Sequence, residues 1–215
     1  MLISPTTFYS ENLKGKSKEE ILSVIRRLKI SITKLKKAIA NPDLEALVCP
    51  SNELMLEYTR TYLEEAIIAL NAVGGEYVPT KAELRSEEFD EKVCDISKIE
   101  FFMGNDFGDG EKRIYTIGEN FVDLEIENSQ EKVALNGEID KKKFFERLSK
   151  LHIGEWKRRY EPKKGEEVLD GIEWRLHFYY EGGKKPIKIY GRNSFPYNFG
   201  GFMQLLDIYS EPDEH

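Results

Sequence analysis

Residues 172–190, IEWRLHFYYEGGKKPIKIY, decide the fold class of this chain. Two runs rich in aromatic and β-branched residues, 172–180 and 185–190, are joined at Gly182-Gly183. Such runs on either side of a glycine pair predict a β-hairpin. Four more short runs, separated by turn residues that include Asp109-Gly110, predict an antiparallel meander over 99–103, 113–117, 121–126 and 132–135.

Helical patterns accompany these strands in the same part of the chain. Asp140 has the position of an N-cap before an apolar helical face, and a last helix is predicted over 198–209 with Asn198 as its cap. Strands in runs with helices at one side predict an α+β fold, an antiparallel β-sheet with helices packed on one face. The apolar face after Asp140 consists of Phe144, Phe145, Leu148 and Leu151.

The first third of the chain has helical periodicity throughout. Ser17 and Glu20 have capping-box spacing, and apolar residues then recur at alternating steps of four and three up to Asn41-Pro42. A second helix is predicted from near Pro50 to Val73, with Gly74-Gly75 as its C-cap. Two long helices joined by a short loop predict an N-terminal antiparallel helical hairpin. The stripe of the first helix consists of Ile21, Ile25, Leu28, Ile32, Leu35 and Ile39.

These patterns predict four segments. They are the helical hairpin over 1–75, a polar connector over 76–96 with a short helical candidate at 81–89, the α+β module over 97–210 and a disordered tail over 211–215.

The charge distribution limits the classes of partner. A net charge of −7 disfavours nucleic-acid binding over the whole surface, since phosphates are bound by an excess of Lys and Arg. Two segments are strongly basic despite the negative net charge. Residues 14–37 contain nine basic and two acidic residues, and residues 141–164 contain ten basic and three acidic residues. The second helix of the hairpin is acidic, so the first segment is interpreted either as its electrostatic complement or as a partner-binding face.

No run approaches the roughly 18 apolar residues of a membrane span, and residues 1–9 lack a signal-peptide pattern. The expected location is therefore the cytoplasm, with no membrane partner. Cys49 and Cys94 stand far apart without neighbouring ligand residues, which predicts two reduced thiols and no zinc site.

We assign no catalytic residue, metal site or cofactor from the sequence. Asp106-Phe107-Gly108 resembles a kinase metal-binding triplet, but the glycine-rich and catalytic loops of kinases are missing. His152, His177 and His215 form no zinc-ligand spacing, and His177 is interpreted as a hydrogen-bonded structural residue of a strand.

Two stretches remain as binding candidates. In 141–164 basic residues interleave with aromatic ones, which suits a polyanion such as a nucleic acid but equally a helix with solvated lysines. In 191–199, Arg192, Asn193 and Tyr197 are predicted to project from a strand-to-helix loop, which is interpreted either as structural turn chemistry or as a small-ligand site. The polyanion candidates are Lys141, Lys142, Lys143, Lys157, Arg158 and Arg159.

About the last 60 residues resemble a family of uncharacterised bacterial proteins, a domain of unknown function. That family carries a Trp, then Asp-Gly-x-x-Trp, then Gly-x-Asn-x-aromatic-Pro-x-Asn-Phe near the C-terminus. The resemblance marks a fold and implies no catalytic residue, because the family has no established activity. The matching residues are Trp156, Asp170, Gly171, Trp174, Gly191, Asn193, Phe195, Pro196, Asn198 and Phe199.

The leading functional hypothesis is a non-enzymatic binding or regulatory protein that meets a protein partner, or a second copy of itself, through the helical hairpin. A small-ligand-binding or enzymatic domain using 170–199 is the second hypothesis. Polyanion binding through 141–164 is the third.

Overall fold

A computed structural model describes residues 2–41, 49–105, 109–128, 132–162 and 171–206, without the side chains of 132 and 135–138. The chain divides into two compact units, Met1–Pro79 and Thr80–His215. The predicted connector, 76–96, is divided by this boundary, and its helical part belongs to the second unit. Several predicted features lie outside the described residues: Pro42, the Asp106-Phe107-Gly108 triplet, Asp170, Lys163, Lys164 and the tail over 211–215.

The first unit contains three helices, α1 (Pro5–Asn12), α2 (Lys18–Ile39) and α3 (Asn52–Ala72). The predicted capping box of α2 is present, because the Ser17 side chain accepts from the Glu20 amide and the Glu20 carboxylate from the Ser17 amide. Ile21 and Ile25 of α2 pack with Ala66 and Leu70 of α3 in one buried cluster. The beginning of α2 therefore lies beside the end of α3, as in the predicted antiparallel hairpin.

The ends of α3 differ slightly from the prediction. The helix begins at Asn52 after a Ser51 N-cap rather than near Pro50, because the Ser51 hydroxyl accepts from the Leu54 amide. At its C-terminus Gly74 has φ +72°, and the Gly75 amide donates to the Leu70 carbonyl. The predicted glycine C-cap is confirmed.

Helix α1 was not predicted. Phe8 stacks on Tyr62 of α3 with ring centroids 4.3 Å apart. The Tyr62 hydroxyl donates to the Ile3 carbonyl at 2.6 Å and accepts from the Ile3 amide at 3.1 Å. Tyr62 thus ties the N-terminal segment to α3.

The second unit is built on a seven-stranded sheet with the order β4-β3-β2-β1-β6-β7-β5. All neighbouring strands are antiparallel except the pair β5 and β7. The strands are β1 (Ile96–Asn105), β2 (Gly110–Ile117), β3 (Phe121–Glu127), β4 (Lys132–Asp140), β5 (Arg159–Tyr160), β6 (Ile172–Tyr180) and β7 (Ile187–Arg192). Its helices are α4 (Lys81–Lys92), α5 (Lys141–Lys150) and α6 (Phe199–Leu205).

One face of the sheet carries the core of this unit. Alternate residues of the central strands, such as Phe101 of β1 and Leu176 of β6, are buried there with Phe89 of α4, Phe144 of α5 and Phe202 of α6. The predicted α+β fold with helices on one face of an antiparallel sheet is confirmed. No helix in the described ranges is long and apolar enough to cross a membrane.

The prediction that Asn198 caps the last helix is wrong. Asn198 makes no side-chain hydrogen bond to the first turn of α6. Its carboxamide instead accepts from Trp156 Nε1 at 2.9 Å and donates to the Leu151 carbonyl at 2.6 Å. Because one side chain cannot also reach the helix amides, the bond to Trp156 replaces the cap.

Candidate functional surfaces

The sheet has a second face, formed by the outward side chains of β1, β2, β3, β6 and β7, which we call the outer sheet face. The strand register places Glu100 of β1 between Ile114 of β2 and His177 of β6. Tyr179 follows His177 on the same side of β6, because side chains alternate along a strand. Charged and aromatic side chains thus stand together on this face, and most of them are half-buried.

Glu100 lies at the centre of the outer sheet face, with 18% of its side chain exposed. Lys98 Nζ donates to its Oε1 at 2.7 Å and the Tyr179 hydroxyl to its Oε2 at 2.9 Å. Burial acts to raise the pKa of this carboxyl, but those hydrogen bonds and the charge of Lys112 outweigh burial and lower the pKa. Glu100 is therefore ionised at neutral pH.

His177 stands beside Glu100 in a neutral form. Its Nδ1 lies 3.9 Å from Glu100 Oε2 and 3.5 Å from the Tyr179 hydroxyl. Burial lowers the pKa of the imidazole, and the charges of Lys188 and Arg175 also lower it while Glu100 raises it. Nε2 is buried and has no hydrogen-bond partner in the described part of the chain. Because this nitrogen has less than 1 Å² of accessible surface, a polar ligand can bond to it only after a neighbouring side chain moves.

The three residues considered for a small-ligand site each have separate contacts. Strand alternation places Arg192 on the outer sheet face, because its neighbour Gly191 packs on Trp174 in the core. The Asn193 carboxamide accepts from the Ile172 amide at 2.7 Å, and its backbone is left-handed with φ +46°. The Tyr197 hydroxyl donates to Glu155 Oε2 at 3.2 Å.

The motif that carries the family resemblance is a packing unit. Trp156 and Trp174 meet edge to face at 6.3 Å, and Phe199 lies 4.9 Å from Trp174. Trp174 Nε1 donates to the Ser194 carbonyl at 3.0 Å. A Cβ on Gly191 would stand 2.1 Å from that nitrogen, so only glycine fits there. These residues hold the end of the sheet against α6.

The basic segment 141–164 is split by the fold. Lys141–Lys143 begin α5 directly after β4, whereas Arg159 belongs to β5. β4 and β5 are the two edges of the sheet, which six strand spacings of about 4.8 Å separate by roughly 29 Å. The structure therefore does not bring the two halves of the polyanion candidate together. Lys157 and Arg158 precede β5 and are exposed at the same edge as Arg159.

In the first unit, α2 has a basic outer face. Ile30 lies two residues from Ile32 of the apolar stripe, about 200° around the helix axis, and is 56% exposed. Basic residues surround it at helical spacing, and all of them are exposed. We call this set the basic face of α2: Arg26, Arg27, Ile30, Lys34 and Lys37.

Helix α3 has an acidic outer face of the same construction. Ile68 is 64% exposed, and three exposed glutamates precede it at steps of four and seven residues. We call this set the acidic face of α3: Glu53, Glu57, Glu64 and Ile68. Ile30 of α2 is therefore exposed among cations, and Ile68 of α3 is exposed beside glutamates, with the half-buried Arg60 at helical spacing between Glu57 and Glu64.

No protein-family model, curated protein or solved structure matches this chain.

Sequence patterns indicated these surfaces only in part. The opposite charges of α2 and α3 are visible in the sequence, but the exposure of Ile30 and Ile68 depends on which side of each helix meets its neighbour. Glu100 gave no signal, because its partners Tyr179 and His177 come from a strand more than 70 residues away. The alternation of Arg175, His177 and Tyr179 with apolar residues was the available sign of a polar sheet face.

Proposed function

We propose that this chain is a non-enzymatic binding protein and that it binds another protein chain through the helices of its first unit. The observation that carries the proposal is the exposure of Ile30 and Ile68, at 56% and 64%, within faces of opposite charge. An exposed apolar side chain ringed by charges has the composition of a protein interface, where apolar contact gives affinity and charge gives specificity.

A photo-crosslinking amino acid placed at position 30 or 68 tests this proposal in the full chain. Position 78 is the matched control, because Val78 is 76% exposed but lies on neither face. We expect covalent products with a second protein chain at 30 and 68 and few at 78. If irradiation yields no products at 30 or 68 beyond those at 78, the proposal is wrong.

A second candidate function is polar-ligand binding on the outer sheet face. The buried Nε2 of His177, without a hydrogen-bond partner in the described ranges, favours it. Ligands that raise the melting temperature of the wild type but not of His177→Phe would support this function. Equal shifts for both proteins would exclude His177 as a contact.

Membership of the bacterial family with the Trp156–Phe199 motif, and a cytoplasmic location, are part of the same proposal. The family assignment rests on the sequence motif. The location is supported by Cys49 and Cys94, which are both free and exposed, since exposed thiols persist in reducing compartments.

A further inference from the structure

We propose that the partner is a second copy of this chain, and that the basic face of α2 in one copy receives the acidic face of α3 from another. This inference rests on the proposed function and names its partner. The two faces are complementary in charge, because four cations surround Ile30 and three carboxylates accompany Ile68. The basic face spans residues 26–37 and the acidic face 53–68, and each carries one exposed isoleucine.

The two faces cannot meet within one copy. The seam between α2 and α3 contains Ile25 and Leu70, and both outer faces lie on the far sides of their helices from it. In the described part of the chain, no ion pair joins a cation of the basic face to a carboxylate of the acidic face. A second copy supplies the opposite charge to both surfaces.

The contact joins different surfaces, so it is head to tail. Docking α2 of one copy on α3 of the next leaves an unused basic face at one end and an unused acidic face at the other. Such heterologous contacts continue from copy to copy unless a rotation closes the ring. Association should therefore proceed beyond a dimer as the protein concentration rises.

The expected affinity is low and depends on salt. A helix of about 20 residues is about 30 Å long and about 10 Å wide, so such a contact buries about 600 Å² in total. Stable complexes bury at least about 1,200 Å². Exposed ion pairs weaken as the Debye length falls from about 10 Å at 0.1 M salt to about 3 Å at 1 M.

Charge reversal tests the inference in the full chain. The first variant, Arg26→Glu with Arg27→Glu and Lys34→Glu, leaves Lys37 as the one cation of the face and so makes the face of α2 acidic. The second, Glu57→Lys with Glu64→Lys, makes the face of α3 basic. Because Glu, Lys and Arg are all good helix formers, the helices should remain, which circular dichroism checks.

Sedimentation velocity at low salt measures association of each protein and of their mixture. Relative to the wild type, each variant alone should associate at least about tenfold more weakly, since at least two ion pairs become repulsive. An equimolar mixture should recover association, because each reversed face then meets its opposite. The chain with all five substitutions should recover it as well.

Three results overturn the inference: a wild type that stays monomeric at the highest attainable concentration in low salt, variants that associate as the wild type does, or a mixture that does not recover. The photo-crosslinking experiment distinguishes failure of this inference from failure of the proposed function. Products between position 30 and the α3 peptide of the same sequence support both. If products form only with a different protein, the inference is wrong and the proposed function stands. If no products form, both are wrong.

Discussion

At the scale of single residues, Gly191 is the tightest point of the second unit. The nearest atoms to a Cβ there belong to the Trp174 ring, which is fully buried and cannot move aside as a flexible side chain would. Gly191→Ala should therefore lower the free energy of unfolding by about 3 kcal/mol or more. Urea denaturation measures the loss.

Gly200→Ala is the matched control for this substitution. Nothing lies within 4 Å of a Cβ at Gly200, which belongs to α6. The change should be neutral or stabilise by up to about 1 kcal/mol, because alanine is the better helix former. Equal losses at both positions would show that Trp174 is not the cause.

The stability of the folded chain should depend on pH through the imidazole of His177. The pKa of its imidazole is below 6.5 in the folded chain, so folding favours the neutral form. Its contribution to stability is fully present above pH 6.5 and is lost as pH falls from there through the folded-state pKa. His177→Gln removes the titration, so the stability of the wild type relative to this variant should fall between about pH 7.5 and about pH 5.5.

Urea unfolding of both proteins at the two pH values gives the comparison. Acidification also affects carboxylates such as Glu100, whose pKa is lowered, but that change is common to both proteins and begins at a lower pH. If the wild type instead becomes more stable relative to His177→Gln as pH falls, the folded chain prefers the charged imidazole.

The C-terminal motif was predicted from the sequence only in part. Trp174 and Gly191 are both buried parts of the packing unit, and glycine is required at 191 by the close approach of the Trp174 ring, not by a left-handed backbone. Asn193 was predicted to bind a ligand, but its carboxamide oxygen is occupied by the Ile172 amide. Local sequence does not show which distant backbone group a polar side chain will reach.

At the scale of elements, the capping box of α2 makes the clearest prediction. Ser17→Ala removes the hydroxyl that accepts from the Glu20 amide, which should destabilise α2 by about 1 kcal/mol. Ser23→Ala in the same helix is the control, since Ser23 is exposed and alanine favours a helix interior. Thermal unfolding should show a lower midpoint for the first variant only.

Helices and strands with a strong hydrophobic periodicity were predicted from the sequence, whereas short elements were not. The apolar stripe of α2 spans about five turns, and β6 was predicted at its observed bounds. Helix α1 has eight residues and buries only Phe8 among its described side chains, so no period could reveal it. β5 has two residues and exists because it pairs with β7, which is a long-range contact.

At the scale of the whole molecule, the two units have separate hydrophobic clusters. The sequence placed the end of the first module near residue 75 from the glycine C-cap, but its connector ends inside the second unit. The reason is that Phe89 of α4 packs on Phe178 of β6, with ring centroids 5.2 Å apart. The polar composition of residues 76–96 gave no sign that Phe89 would be buried in the second unit.

Separate clusters predict separate responses to cavities. Leu70 and Leu176 are fully buried, one in each unit, so Leu70→Ala and Leu176→Ala should each cost about 2–5 kcal/mol. Because the buried clusters do not share residues, hydrogen exchange should accelerate in α2 and α3 for the first variant and in β1 and β6 for the second. Leu54→Ala and Leu84→Ala are the controls, since these leucines are 40% and 50% exposed and leave no cavity. Acceleration of both units by either core substitution would show instead that the chain unfolds as one cooperative structure.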